Sequence, residues 1–369
     1  MEKVGIAQLP LHYGKCPIWL FNRMVNLTRA IAKIIIYEYS EEEFLRRISD
    51  PFFFQSLGCV VGYDWHSSGL TTTLCGALKE AMNGTGIIVC GGKGRASKKT
   101  PIEIKEKCNT DFLSKIVPKL IYASKMCAKV DSALIQDNYQ IYHHSFFITQ
   151  KGKWAVIQQG MCIEDKTARR YHWLSENVKS FVEEPNLIVG ENKKERVLNM
   201  VARESEECRK TSVDLVNDNP EHLRRYLPVK QRILTEYFGK IKVIKMPFKH
   251  EITRNDLSER TIEILKKAYE IQPRNYEELV AINGIGQKTI RALALISELV
   301  YGAPPSWEDP VKYSFAHGGK DGFPYRINKK QYDKSIQILS DAIKSAEIGD
   351  KEKLNAIKRL NDLLGKDIK

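Results

Sequence analysis

No CxxC pair occurs among the eight cysteines, at positions 16, 59, 75, 90, 108, 127, 162 and 208, and none has zinc-finger spacing with histidine. That excludes zinc ribbons and thioredoxin-like redox centres. Cys59 precedes Val60 and Cys90 follows Val89, so cysteine reads here as a small core hydrophobe with a free thiol. Long apolar runs are missing too. Ile31 to Tyr39 is too short to span a bilayer, and Lys33 interrupts its run-up. Pro10 and polar residues break the opening stretch, so it does not read as a signal peptide. A cytoplasmic protein with no membrane partner is expected. The P-loop pattern GxxxxGK[ST] is absent, which argues against a nucleotide triphosphatase. No nucleotide or redox cofactor is expected, and there is no internal repeat or low-complexity tract.

What the chain has is positive charge. Its 58 Lys/Arg against 45 Asp/Glu leave +13 at pH 7, a balance that favours a polyanionic partner. The excess is uneven, with ten Lys/Arg and three Asp/Glu between residues 87 and 130. With 43% apolar and 28% charged residues the chain suits a globular protein. At 369 residues it is too long for one compact core, so two domains are expected.

Apolar spacing predicts helices over Pro17–Tyr39, Glu41–Arg47 and Leu70–Met82. Phe52–Tyr63 is aromatic and β-branched and reads as strand or buried loop. Ile87–Cys90, after the turn Gly84-Thr85-Gly86, reads as a buried strand. Asp111–Val130 is predicted helical with Pro118 as a break point. Tyr139–Thr149 and Trp154–Gln158 form a β-hairpin about Lys151-Gly152. Capping boxes Asp256-x-x-Glu259 and Asn275-x-x-Glu278 open later helices, and Gly302 before Pro304-Pro305 closes one. The expected fold class is α+β. An N-terminal mixed α/β domain (1–190) precedes a helical linker or brace (191–246) and a mainly helical C-terminal domain (247–369).

Three clusters in the first half carry candidate chemistry. Asp64 and His66 stand at i, i+2 between glycines, which on an extended segment places them on one side. They suit a metal pair or a carboxylate-oriented histidine, and the alternative is a turn in which Asp64 and Ser67 bond the backbone. The second cluster is Asp137, Gln140, His143, His144, Gln158, Gln159, Arg169, Arg170 and His172. Imidazole, amide and guanidinium together suit phosphodiester chemistry, with a base or metal ligand plus cations for transition-state charge. Strand alternation puts His144 with Phe146 on one face and His143 with Ser145 on the other. The bland alternative is a hydrogen-bonded core under a sheet. The third cluster is Gly91, Gly92, Lys93 and Arg95, which read as a phosphate nest after a strand or as a plain basic loop.

The most informative stretch is Leu279–Gly302. Asn283, Gly284, Ile285 and Gly286 form a glycine turn that opens an amphipathic helix. The first amides of that helix are free to meet an anion. Lys288 and Arg291 add charge, and Thr289 adds a hydroxyl. This stretch resembles the helix-hairpin-helix motif of DNA repair and recombination proteins. The resemblance implies phosphate binding without sequence readout, with DNA as partner.

Known nuclease signatures do not match. Ser145 and Phe146 stand where the phospholipase-D-like nucleases need lysine after histidine, and Gln158-Gln159-Gly160 lacks the lysine of the PD-(D/E)xK pattern. Asp309 follows the hairpin, as an essential aspartate does in helix-hairpin-helix glycosylases, but without matching surroundings. Taken whole, the chain resembles the domain-of-unknown-function 763 family of archaea and thermophilic bacteria. The likeness rests on Gly5–His12, Gly62–Gly69, Tyr142–Phe147, Trp154–Met161, Ala168–Trp173 and the hairpin. It implies a prokaryotic cytosolic protein and supplies no activity. The expected function is DNA binding with structure-specific nuclease activity in repair or recombination, and the alternative is a non-enzymatic DNA scaffold. For a nuclease the expected cofactor is Mg or Mn, with Asp64, His66 and His144 as metal ligands. A homodimer is left open.

Overall fold

The computed structural model describes residues 16–63, 67–190, 193–226, 258–311, 337–339, 341–345 and 349–366. Four helices open the chain: α1 (Ile18–Glu38), α2 (Glu41–Ser49), α3 (Pro51–Val60) and α4 (Gly69–Ala81). Along α1 the buried side chains Met24, Leu27, Thr28, Ile31 and Ile35 recur every three or four residues, the spacing of one helix face. Ser40 caps α2 by accepting from the Glu43 amide at 3.1 Å.

The stretch read as strand or loop is helix α3. Asp50 accepts from the Phe53 amide at 2.8 Å, and Pro51 fills the first helical position. Almost every residue of α3 is buried, including Gln55 and Ser56. A helix buried all round shows no one-sided periodicity, so its phenylalanines mimic a strand.

The next elements are β1 (Ile88–Lys93), α5 (Arg95–Lys98), α6 (Thr100–Lys107) and α7 (Asp111–Lys129). Helix α7 runs through Pro118 and ends in a π-helical turn, Val130–Leu134. Strands β2 (Ile135–Gln136), β3 (Gln140–Ile148), β4 (Trp154–Cys162), β5 (Thr167–Leu174), β6 (Leu187–Val189) and β7 (Leu198–Asn199) follow. The main sheet is antiparallel in the order β1-β3-β4-β5-β6, and β2 pairs with β7.

Alternation along β3, β4 and β5 divides the sheet between two cores. Phe147, Ala155 and Ile157 join the core made with α1 to α4. Phe146, Trp154, Val156, Tyr171 and Trp173 join the core made with α7. The second core continues into α8 (Glu206–Asn217), α9 (Glu259–Ile271), α10 (Tyr276–Ala281) and α11 (Gln287–Tyr301). Ile338, Leu339, Ile343, Ala356 and Leu360 return to the first core, the last two on α12 (Asp350–Lys366). The chain beyond residue 247 therefore serves both faces of the sheet. Of the two expected capping boxes, Asn275 caps α10 by accepting from Glu278 N at 2.9 Å. Asp256 lies outside the described residues, and the cap on α9 is Ser258. Gly302 closes α11 in the left-handed conformation, φ +66°.

Candidate functional site

The exposed feature is the turn between α10 and α11. The Ile285 amide reaches back to the Ile282 carbonyl at 3.3 Å, with Gly284 at φ +98°. A β-carbon there would stand 3.1 Å from Ile264, so glycine is required for backbone and space alike. Gly286 precedes α11 and gives it no side-chain cap. The first-turn amides of a helix have no intrahelical partner, and here no side chain takes that role. Asn283, Gly284 and Lys288 are exposed, while Ile285 and Thr289 point into the core. The Thr289 hydroxyl is thus turned away from any surface ligand, contrary to its expected part. Arg291 is half-buried.

The turn is seated on the π-helical end of α7. Lys129 Nζ donates to the Ile282 carbonyl at 2.6 Å. Gln136 Nε2 donates to the Gln287 carbonyl at 2.8 Å, and Gln287 Nε2 donates to the Ser132 carbonyl. Burial lowers the Lys129 amine to about 8 from 10.5. Folding releases a proton between those values, so this contribution to stability is present above pH 10.5 and lost as pH falls through 8. The stability of wild type relative to Lys129→Met should therefore rise from pH 8 to 9.5 in urea titrations. A flat difference would mean that Lys129 stays solvated.

The second-cluster residues do not converge. They split into two seams on opposite faces of the sheet. Facing α7, Ser124 Oγ donates to His144 Nε2 at 2.9 Å, and His144 Nδ1 donates to Gln158 Oε1 at 2.8 Å. Gln158 Nε2 donates to Asp131, which also accepts from Trp173 Nε1 at 2.8 Å and from Asn186. Both His144 nitrogens are engaged, so neither is open to a metal. Burial pulls His144 down to about 4 and pushes Asp131 well above the usual carboxylate range. At the end of this seam Arg169 bridges Asp137 at 2.7 Å and Asp309 at 3.0 Å. Arg169 also stands 4.6 Å over the Tyr139 ring. Asp309 in turn accepts from the Lys194 amide at 2.7 Å. Burial raises Asp137, against the pull of Arg169.

Facing α1 to α4, Arg170 donates to His172 Nε2 at 2.8 Å, to Gln55 at 3.0 Å and to Thr71 at 3.3 Å, and stands over Phe54. Burial lowers Arg170 to about 9 and His172 well below the ordinary histidine value. His143 Nε2 pairs with Ser145 Oγ at 3.0 Å, and Gln159 donates to the Ser68 carbonyl and the Tyr142 hydroxyl. Among the buried polar atoms on this face without a hydrogen-bond partner are His143 Nδ1, Gln159 Oε1 and His172 Nδ1. Burial, then His144 and Lys93, take His143 down to about 3. Asp64 and His66 lie outside the described residues.

The glycines of the expected phosphate nest are strand residues. Gly91 and Gly92 sit in β1 opposite Ser145 and His144. The Gly91 amide already faces an anion, Glu103 Oε2 at 3.3 Å, and its carbonyl accepts from Lys79 at 2.8 Å. Lys93 lies 5.9 Å over the Tyr142 ring, and Arg95 opens the short α5. Asp131, Ser124, Gln55, Thr71, Asn186 and Asp309 escaped sequence reading as site members, because nothing local distinguishes a buried polar residue from a loop one. Only Asp309 gave a signal, as an aspartate shortly after the hairpin.

Among the described residues no three His, Cys, Asp or Glu side chains are grouped to hold a metal, and no helix is long and apolar enough to cross a membrane. All the cysteines are free, and all but Cys16 are buried. No curated protein and no solved structure matches the chain. A family model described as a protein of unknown function, DUF763, matches residues 5–327, and the chain belongs to that family.

Proposed function

We propose that this protein binds DNA by its phosphate backbone, through the glycine turn and the start of α11. The observation that carries this reading is the uncapped N-terminus of α11 behind Gly284 at φ +98°, with Lys288 exposed beside it. Backbone amides and lysine charge recognise phosphate without reading bases, so binding should be sequence-tolerant and fall steeply with salt. The net charge of +13 supports the same partner.

Gly284→Val tests it. Valine at positive φ, with its β-carbon against Ile264, must reshape the turn. Affinity for a duplex should drop roughly tenfold or more, as expected for losing backbone phosphate contacts, while circular dichroism stays that of the folded chain. Unchanged affinity in a folded variant would sink the proposal.

A second reading, DNA cleavage in repair or recombination, is favoured by one observation: the unpartnered Nδ1 of buried His143 beside unpartnered Gln159 Oε1. A neutral imidazole with a free nitrogen can accept a proton once an anionic phosphate beside it raises its depressed pKa. This shifts the candidate base from His144 to His143. The described residues do not form a metal set, so no step is assigned to Mg or Mn. Nicking of labelled branched DNA that persists in His144→Ala and vanishes in His143→Ala would support cleavage; intact DNA under every divalent ion would leave a binding protein.

A further inference from the structure

A groove of about 530 Å³ opens beside α7, lined by Pro118, Lys119, Tyr122, Trp154, Val178 and Phe181 among others. That volume is within the range of small-ligand sites. Three of its lining residues, Tyr122, Trp154 and Phe181, are aromatic, and buried Phe146 backs them. Phe146, Trp154 and Phe181 form a stack with ring centroids 5.5 and 6.1 Å apart, and Tyr122 meets Phe181 edge-on at 5.8 Å. Glu277 fixes two of these walls, accepting from the Tyr122 hydroxyl at 2.9 Å and from the Phe181 amide at 3.3 Å. Glu277 belongs to α10, the helix that leads into the glycine turn. Groove and turn are therefore held by the same element.

The charge around the groove is directional. Lys115, Lys119, Tyr122 and Lys125 are exposed on α7, and Lys129 ends the same helix at the turn. Positions 115, 119, 122 and 129 share one helix face, with 125 at its margin. At the rise of an α-helix, Tyr122 stands about 10 Å and Lys115 about 21 Å from Lys129 along the axis. Lysines interleaved with aromatic walls are the pattern that holds a single strand, phosphates on the charges and bases against the rings.

We infer that this groove receives unpaired bases of a DNA strand whose neighbouring phosphates lie on the glycine turn, which makes the protein selective for duplex with a single-stranded branch or tail. The inference rests on the reading of the turn as a phosphate site. Lys115, Lys119 and Lys125 steer the strand along α7, and Tyr122 and Phe181 take the bases. The occupant is nucleic acid because an apolar peptide would gain nothing from the lysine row.

The test uses the full chain and fluorescent DNA in three forms: blunt duplex, the same duplex with a short thymidine tail, and the duplex with an abasic tail. The thymidine tail should raise affinity about tenfold, the scale of base stacking on aromatic side chains. The abasic tail should add little. Tyr122→Ala and Lys119→Glu should each lose most of the gain, and Tyr122→Phe should keep it. Equal gains from the two tails would overturn the base-binding groove, leaving only lysines. Blunt duplex bound and lost in Gly284→Val, with no tail gain, would overturn the groove and keep the turn. A tail gain that survives Gly284→Val would support the groove and sink the turn, and no binding to any DNA would overturn both.

Discussion

Replacing Arg169 with methionine is expected to lower the unfolding free energy by about 3–5 kcal/mol, the cost of leaving a buried charge without its partner. Methionine fills much of the arginine volume, so packing loss is the smaller part. What remains is Asp137 facing Asp309, both sealed from solvent, with no cation between them. Burial already raises the Asp137 carboxyl, and Arg169 holds that rise in check. Without the arginine its folded pKa climbs further above the unfolded value. A carboxyl raised in the folded state is penalised as pH rises through its unfolded pKa, near 3.9. The variant should therefore sit closest to wild type near pH 4 and fall away toward pH 7, as read from urea midpoints. A second variant, Arg169→Met with Asp137→Asn and Asp309→Asn, should recover part of the loss. A loss below about 1 kcal/mol, the level of a solvated surface pair, would show that the three groups are not a buried network. The bridge also bears on function. Asp309 follows α11, so Arg169 ties β5 to the chain just beyond the helix that opens at the glycine turn.

Most elements were legible where one face of the chain is buried. Helix α1, the β3–β4 hairpin and the cap at Asn275 follow from spacing and capping chemistry that act locally. Helix α3 was not, because Phe53, Phe54, Leu57 and Val60 are buried together with Gln55 and Ser56, and full burial erases the period. Its start was visible only in Asp50-Pro51, a cap followed by proline, a signal outweighed by the aromatic run. The layering was not legible either. Nothing in the sequence says that α8 to α11 share a core with β3, β4 and β5, since that pairing is set by shape across many residues.

For the candidate site the legible part was alternation. It placed His143 and His144 on opposite faces, and the structure keeps them there. The same rule already implied that Arg169 and Arg170 diverge, so convergence of all nine second-cluster candidates required the strands to violate their own period. The roles of Asp131 and Asp309 were hidden because the side chains they hold, Gln158 and Arg169 among them, lie 27 or more residues away. The glycine turn was legible because its chemistry is local: positive φ, an uncapped helix start and exposed lysine are written in consecutive residues.

Gly91→Ala is expected to be the most damaging small substitution in the first half, on the order of 4 kcal/mol, the upper end for a backbone clash. Gly91 has φ +91°, a region that costs an L-residue roughly 1–3 kcal/mol. An added β-carbon would also lie 2.2 Å from the His144 carbonyl oxygen and 2.4 Å from the Thr100 hydroxyl. The hydroxyl can rotate away, but the carbonyl belongs to β3 and is fixed by the sheet. Relief requires β1 to move off β3, which breaks the pairing of Gly92 with His144 and pulls Gly91 N from Glu103. Gly94→Ala is the matched control. It too has positive φ, +62°, yet nothing stands within 4 Å of an added β-carbon. At φ +62° and ψ −120° its cost should be backbone strain alone, roughly 1–3 kcal/mol. Urea midpoints of the two variants separate the terms, and equal losses would show that strain rather than contact with β3 demands glycine at position 91. A large gap would identify Gly91 as a packing residue, and the phosphate role read from its sequence would pass to the turn at Gly284.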